Sequence, residues 1–245
     1  TTPLFVTNTY ADGTRQPILG GLAAAAGPGG GVMVYFGTGS FSFAGDEVDR
    51  TIQSLYGVLD RGTATTLTRA ALTQQTVTVV AGSATRVVSS NSGALTNSGW
   101  YLDLPAGERM VSNPAIEGGV VFIPTYDPNA ATGCTGIGNN WLYGLNALTG
   151  GAAMNQVHIG TPDAAPTTGG VGAVALATGG TAPVKDVAAM AMPRLEPLSC
   201  APGSPGCTET PPPIGSPCSM IVQVAGAPPI YVPRPCGRQS WRQVR

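Results

Sequence analysis

Few residues in this 245-residue chain carry side chains that could do chemistry, and their spacing narrows what that chemistry could be. His158 is the sole histidine, set in Val157-His158-Ile159-Gly160. A general base needs an orienting partner and a nucleophile within reach, and no G-x-S-x-G elbow supplies them, so a structural or loop histidine is expected. One histidine also excludes a multi-histidine metal centre. Asp46-Glu47-Val48-Asp49-Arg50 gathers three carboxylates in a short stretch. Oxygen donors of this kind can hold calcium, but the D-x-[DN]-x-[DN]-G spacing is missing, and a solvated acidic turn is expected instead. The glycine runs Gly27-Pro28-Gly29-Gly30-Gly31 and Gly37-Thr38-Gly39-Ser40 match neither phosphate-binding pattern and read as hairpin turns.

The cysteines are Cys134, Cys200, Cys207, Cys218 and Cys236. Cys218 and Cys236 flank two β-rich runs, Ser219–Val224 and Ile230–Val232, joined by Ala225-Gly226-Ala227-Pro228-Pro229. A disulfide between them would close the mouth of a hairpin, and one between Cys200 and Cys207 would pin a loop, given an oxidising compartment. A zinc site needs compact C-x2–4-C pairs, which neither spacing offers. Cys134 is left unpaired or bonded to chain outside this sequence.

These groups must be positioned by a β-rich frame. The chain is 42% hydrophobic and 10% charged, with 35 Gly and 22 Pro, a composition of many short strands joined by turns. The net charge of −1 offers no basic field for phosphates, so nucleic acid is not an expected partner. Lys185 is the one lysine among 12 basic residues. No run approaches the ~20 apolar residues of a membrane span. The stretch Thr1-Thr2-Pro3-Leu4-Phe5-Val6 has no signal-peptide pattern, so an exported protein would carry its signal upstream of Thr1.

Asp60, Asp103 and Asn146 close three aromatic-containing strands at a constant spacing of 43 residues. A four-stranded propeller blade takes about 40–45 residues, so an all-β fold of such blades is expected. Strands are predicted at 76–80, 85–90, 100–104, 109–117, 119–124 and 141–146. The aromatic residues Tyr35, Phe36, Tyr56, Trp100, Tyr101, Phe122, Trp141 and Tyr143 fall on strands and are expected to pack between blades. Residues 161–180 and 198–217 are rich in Gly, Pro, Thr and Ser and read as long loops, making 151–217 a Gly/Pro-rich insertion and 218–245 a closing hairpin with a terminal strand. Val187–Met192 reads equally as strand or helical turn.

Four motifs in order resemble one family. Ala11-Asp12-Gly13-Thr14-Arg15-Gln16-Pro17-Ile18 is similar to a "G-x-x-Q-P-I" lead-in, and Val32–Gly39 with Gln53–Asp60 is similar to "V-x-F-G-T-G" and "S-x-Y-G-x-x-D" strands. Trp100-Tyr101-Leu102-Asp103-Leu104-Pro105 with Gly107-Glu108-Arg109-Met110-Val111-Ser112-Asn113-Pro114 matches "W-Y-L-D-L-P … G-E-R-V-x-S-x-P", and Gly237–Val244 matches "G-R-x-S-W-R-x-L". Together they resemble the C-terminal β-propeller of the PilY1/PilC family of type IV pilus tip and biogenesis proteins.

That resemblance implies a non-enzymatic protein, exported through the periplasm and displayed at the pilus tip, acting in pilus assembly, retraction control and adhesion to surfaces or host cells. Minor pilins and the pilus tip complex would be its partners. Three repeats and a hairpin make only four or five blades, fewer than the family's propeller, so this chain is expected to be an incomplete C-terminal part. Upstream sequence or a partner chain would complete it. The resemblance makes Trp241, with Arg238 and Arg242, an anchor locking the last strand. Relatives often carry a "D-x-N-x-D" calcium loop, and no such run stands here, so no cofactor is expected of this chain, with calcium left to the full-length protein. Leu142-Tyr143-Gly144-Leu145-Asn146-Ala147-Leu148-Thr149-Gly150 is also similar to quinoprotein-type blades, in which the Asn caps the turn. A quinoprotein-like dehydrogenase fragment is therefore one alternative and a carbohydrate-binding propeller another. Absorbance above 300 nm with bound calcium would mark the first, and equally spaced exposed aromatics the second.

Overall fold

The computed structural model describes residues 2–128, 138–178, 182–191 and 218–234. Within them the fold is all-β, with fifteen strands, three short 3-10 turns and no helix long and apolar enough to cross a membrane. The strands form three sheets. Sheet A has the order β1 (Ala23–Ala26), β2 (Val32–Gly37), β3 (Ser54–Asp60), β7 (Gly99–Asp103) and β4 (Thr73–Gln75), antiparallel except that β4 runs parallel to β7. Sheet B has the order β5 (Val77–Thr78), β6 (Thr85–Val88), β12 (Val171–Leu176), β10 (Asn139–Asn146), β9 (Val120–Asp127) and β8 (Ala115–Glu117). Sheet C has the order β11 (His158–Ile159), β15 (Ile230–Arg234), β14 (Cys218–Val224) and β13 (Val187–Ala191).

Sheet B is the middle layer, and the two-residue period of its strands sends alternate side chains into two cores. Val121 and Ile123 face sheet A, where they meet Met33, Tyr35, Leu55, Trp100 and Leu102. Phe122 faces sheet C, where with Leu142 and Val174 it meets Met220, Val222, Ile230 and Val232. Each fully buried side chain of this size contributes about 1.5–3 kcal/mol of transfer free energy. The far face of sheet A buries Phe36, Tyr56, Val58 and Leu72 beneath Leu4 and Phe5. The Phe5 ring lies 5.0 Å from that of Tyr56.

Gly57 shows why the "Y-G" of β3 takes no larger residue. A Cβ there would stand 2.4 Å from the Trp100 indole, its partner across the β3–β7 ladder. The indole is in turn fixed by its Nε1–H, which donates to the Ala147 carbonyl at 3.0 Å. Trp100 thus joins the middle of sheet A to the turn after β10 of sheet B.

Several expectations are corrected. The 43-residue spacing does not mark one sheet per repeat: β3 and β7 are antiparallel neighbours in sheet A, and Ser54, not Asp60, stands opposite Asp103. Asp60 and Asp103 therefore lie at opposite ends of one sheet, while Asn146 ends a strand of sheet B. The chain leaves sheet A after β4, builds β5 and β6 at the edge of sheet B, and returns as β7. Sequential strands here do not fill one sheet before starting the next. Residues 161–180, read as loop, contain β12, an inner strand of sheet B. Its sequence Val-Gly-Ala-Val-Ala-Leu is short of large residues because both faces are covered at close range, and a Cβ on Gly172 would stand 2.4 Å from Val88. The strand predicted at 109–117 is confined to β8, Arg109 contributing one bridge to Tyr126. Val187–Ala191 is a strand, and the β14–β15 hairpin has the connection read from the sequence.

Candidate functional site

One end of sheets A and B carries the polar residues of the quoted motifs. Loop 38–53 leaves β2 there, the turn 104–109 follows β7, and β9 ends at Asp127. Arg109 organises this end. Its side chain is buried, and among the described residues its guanidinium donates to backbone carbonyls: Nε–H to Gly107 at 3.0 Å, one terminal nitrogen to Ser40 at 2.9 Å and Asp46 at 2.6 Å, the other to Asp49 at 2.6 Å. A planar fork with five N–H groups can span four carbonyls at once. Burial lowers the Arg109 pKa while Asp49 and Asp46 oppose that shift, and a guanidinium stays charged. Gly39 lets the loop pass: its φ is +139°, and a Cβ would stand 2.4 Å from that of Arg109.

The acidic residues of the loop stay at the surface, Glu47 exposed and Asp46 and Asp49 half-buried, in keeping with the acidic turn read from the sequence, and each bonds to nearby groups of the loop. Asp46 Oδ2 accepts from the Ser40 hydroxyl at 2.6 Å and from the Ser42 and Phe43 amides at 2.7 and 2.9 Å. Asp49 accepts from the Thr51 amide and hydroxyl, and Glu47 from the Gly45 amide. Arg50 pairs with Asp127 at 3.2 Å. Beside the exposed Glu47 and Arg50, the loop presents two large apolar side chains outward: Phe43 is 70% exposed and Val48 60%. Ile18 and Leu19, also exposed, run beside it through the Ile18–Gly39 bridge.

Beneath the loop, Glu108 is fully buried and paired with Arg86 of β6. Glu108 also accepts from the Thr125 hydroxyl at 2.5 Å, and Arg86 donates to the Tyr143 hydroxyl at 2.7 Å and lies 3.6 Å from the Trp141 ring centroid. Burial pushes the Glu108 carboxyl up, against the pull of Arg86 and Thr125. A buried pair of this kind adds little net stability, but removal of one partner costs about 3–5 kcal/mol, so it pins the 104–109 turn to sheet B. A second network serves sheet A. Gln16 donates to the Ile52 carbonyl at 2.8 Å and to Ser54 Oγ at 3.0 Å, and accepts from the Tyr56 hydroxyl at 2.7 Å. Ser54 donates to Asp103 at 2.6 Å, which Arg69 grips through both oxygens at 2.8 and 2.6 Å.

Of the residues singled out from the sequence, Asp60 Oδ1 accepts from the Gly62 amide at 2.7 Å, and Asn146 Oδ1 accepts from Leu148 and Thr149 at 3.0 Å each, so both cap turns. Asp103 does not cap a turn and belongs to the Arg69–Ser54 network. His158 lies on β11, bonded through its ring to the Ala164 carbonyl, away from the acidic loop. Cys134, Cys200, Cys207, Cys236, Arg238, Trp241 and Arg242 lie outside the described residues, and only the strand position of Cys218 is described. Arg109, Glu108, Gln16 and Ser54 stood in the quoted motifs, and Arg86 on a predicted strand, with no role attached. Their partners are backbone carbonyls or distant strands, which motif spacing does not announce.

The architecture defines an all-β protein with the fold of a solved pilus-protein domain. The crystal structure of the Pseudomonas aeruginosa PilY1 C-terminal domain superposes with a TM-score of 0.63 at 22% identity, covering 96% of this chain and 48% of that one. No family model matches. A type IV pilus biogenesis factor PilY1 homolog of Xylella fastidiosa is 38% identical over 99% of this chain, and PilY1 of Pseudomonas aeruginosa is 34% identical over 49% of it. By sequence the chain belongs with the PilY1-type proteins, as a counterpart of their C-terminal portion. It spans 18% and 13% of those two relatives' lengths.

Proposed function

We propose that this chain is the C-terminal β-propeller portion of a non-enzymatic type IV pilus biogenesis factor, displayed at the pilus tip on the cell surface. The observation that carries this is the 38% identity, across 99% of the chain, to a protein named for pilus biogenesis. Sheets A, B and C would be successive blades, and the remainder of the propeller would come from upstream sequence or a partner chain. Residues 218–245 would close the domain, with Trp241 anchoring the last strand and the pairs Cys200–Cys207 and Cys218–Cys236 as staples. The non-enzymatic reading is supported by what the motif residues do: Gln16, Ser54, Asp103, Glu108 and Arg109 are each engaged with other parts of the fold. Contact with minor pilins, the pilus tip complex or an adhesive surface would fall to loop 38–53, where Phe43 and Val48 project from a fixed backbone.

Deletion of the gene in the organism that carries it, followed by complementation with the full-length protein, tests this reading. Surface pilin recovered by shearing is expected to fall on deletion, to return with the parent, and to return only in part with Phe43→Ser/Val48→Ser. Undiminished piliation in the deletion strain would overturn the assignment, and full rescue by the double variant would remove the loop from it.

A further inference from the structure

We infer that Arg109 is the permanent internal cation of the Gly39–Arg50 loop, in the position where an oxygen-lined loop would otherwise hold calcium, so that the loop takes its shape without a divalent ion. Calcium is bound by six to eight oxygens at 2.3–2.6 Å, a mixture of carboxylates and backbone carbonyls. This loop has the makings of such a shell: the carbonyls of Ser40, Asp46 and Asp49 converge, and the carboxylates of Asp46 and Asp49 belong to the same turn. All three carbonyls are taken by one guanidinium at 2.6–2.9 Å. Both carboxylates are committed to local hydroxyl and amide donors. A calcium ion therefore does not fit this loop while Arg109 is in place.

The guanidinium is delivered by a rigid support. Arg109 exchanges backbone hydrogen bonds with Tyr126 on β9 at 2.9 and 2.8 Å, and the next residue, Met110, donates to the Thr38 carbonyl at 3.0 Å. Its neighbour Glu108 is clamped by Arg86 and Thr125. Sheet B thus holds the cation, and the loop from sheet A wraps it. The loop is ordered when the two sheets pack, and no later binding event is needed to present Phe43 and Val48. Arg109 does this whatever the loop contacts.

Amide hydrogen exchange on the purified chain, read over peptides covering 40–50, tests this. In the parent, exchange is expected to be the same in calcium chloride and in EDTA; faster exchange in EDTA would overturn the inference. Arg109→Ala is expected to raise exchange across 40–50 by about tenfold or more while peptides of β3 and β9 stay protected. Guanidinium ion at tens of millimolar, but not sodium, is expected to restore the protection. Unchanged exchange in Arg109→Ala, or failure of guanidinium to restore it, would overturn the role. Should Arg109→Ala not fold, Arg109→Lys carries the test: an ammonium cannot reach all three carbonyls, so exchange at 40–50 rises, and exchange equal to the parent's would sink the proposal.

Discussion

The Asp46 carboxylate receives three hydrogen bonds on a single oxygen, and its charge is part of how loop 38–53 is held. Burial works against that charge, but the donors Ser40, Phe43 and Ser42 and the Arg109 guanidinium outweigh it and hold the Asp46 pKa below its ordinary value of 3.8. A carboxylate lowered in the folded state contributes loop order that is fully present above the unfolded value and is lost as pH falls through the folded one. The amide resonances of Ser42 and Phe43 are therefore expected to titrate together with a midpoint below 3.8. A midpoint at or above that value would mean that the three hydrogen bonds do not persist in solution.

Strand pairing turns such local choices into shape, and Gly57 is a place where the tolerance is small. Gly57→Ala puts a methyl into an indole that cannot withdraw, because Trp100 is bonded to Ala147 on one side and abuts Gly150 on the other. Overpacking of this kind costs about 1–3 kcal/mol, to be read as a lower urea midpoint with an unchanged slope. The strands that contain large alternating or continuous apolar residues, β2, β3, β7, β10 and the β14–β15 hairpin, were legible in the amino-acid sequence. β12 was not, because a strand of Gly, Ala and Val pressed between neighbours has the composition of a loop. The aromatic-then-acid ending of β3 and β7 suggested equivalent positions in successive sheets, yet the same ending suits either direction of travel in one sheet. The loop's anchor was illegible for a different reason: Arg109 finds its partners 60 to 69 residues away, on carbonyls that every residue possesses.

With sheet B lending one face to each neighbour, the three sheets are expected to unfold together. Trp100 lies in sheet A and Trp141 in sheet B, so a urea transition followed by tryptophan fluorescence should coincide with one followed by far-ultraviolet circular dichroism. Separated transitions would show that sheet C or the outer part of sheet A melts on its own. The excursion of residues 76–88, which leaves sheet A, edges sheet B and comes back, carries this further. A recombination breakpoint anywhere inside it would give each descendant a sheet whose border and centre come from different parents. In this part of the protein, lineage change by swapping whole repeats would therefore have to move two sheets as a single cassette.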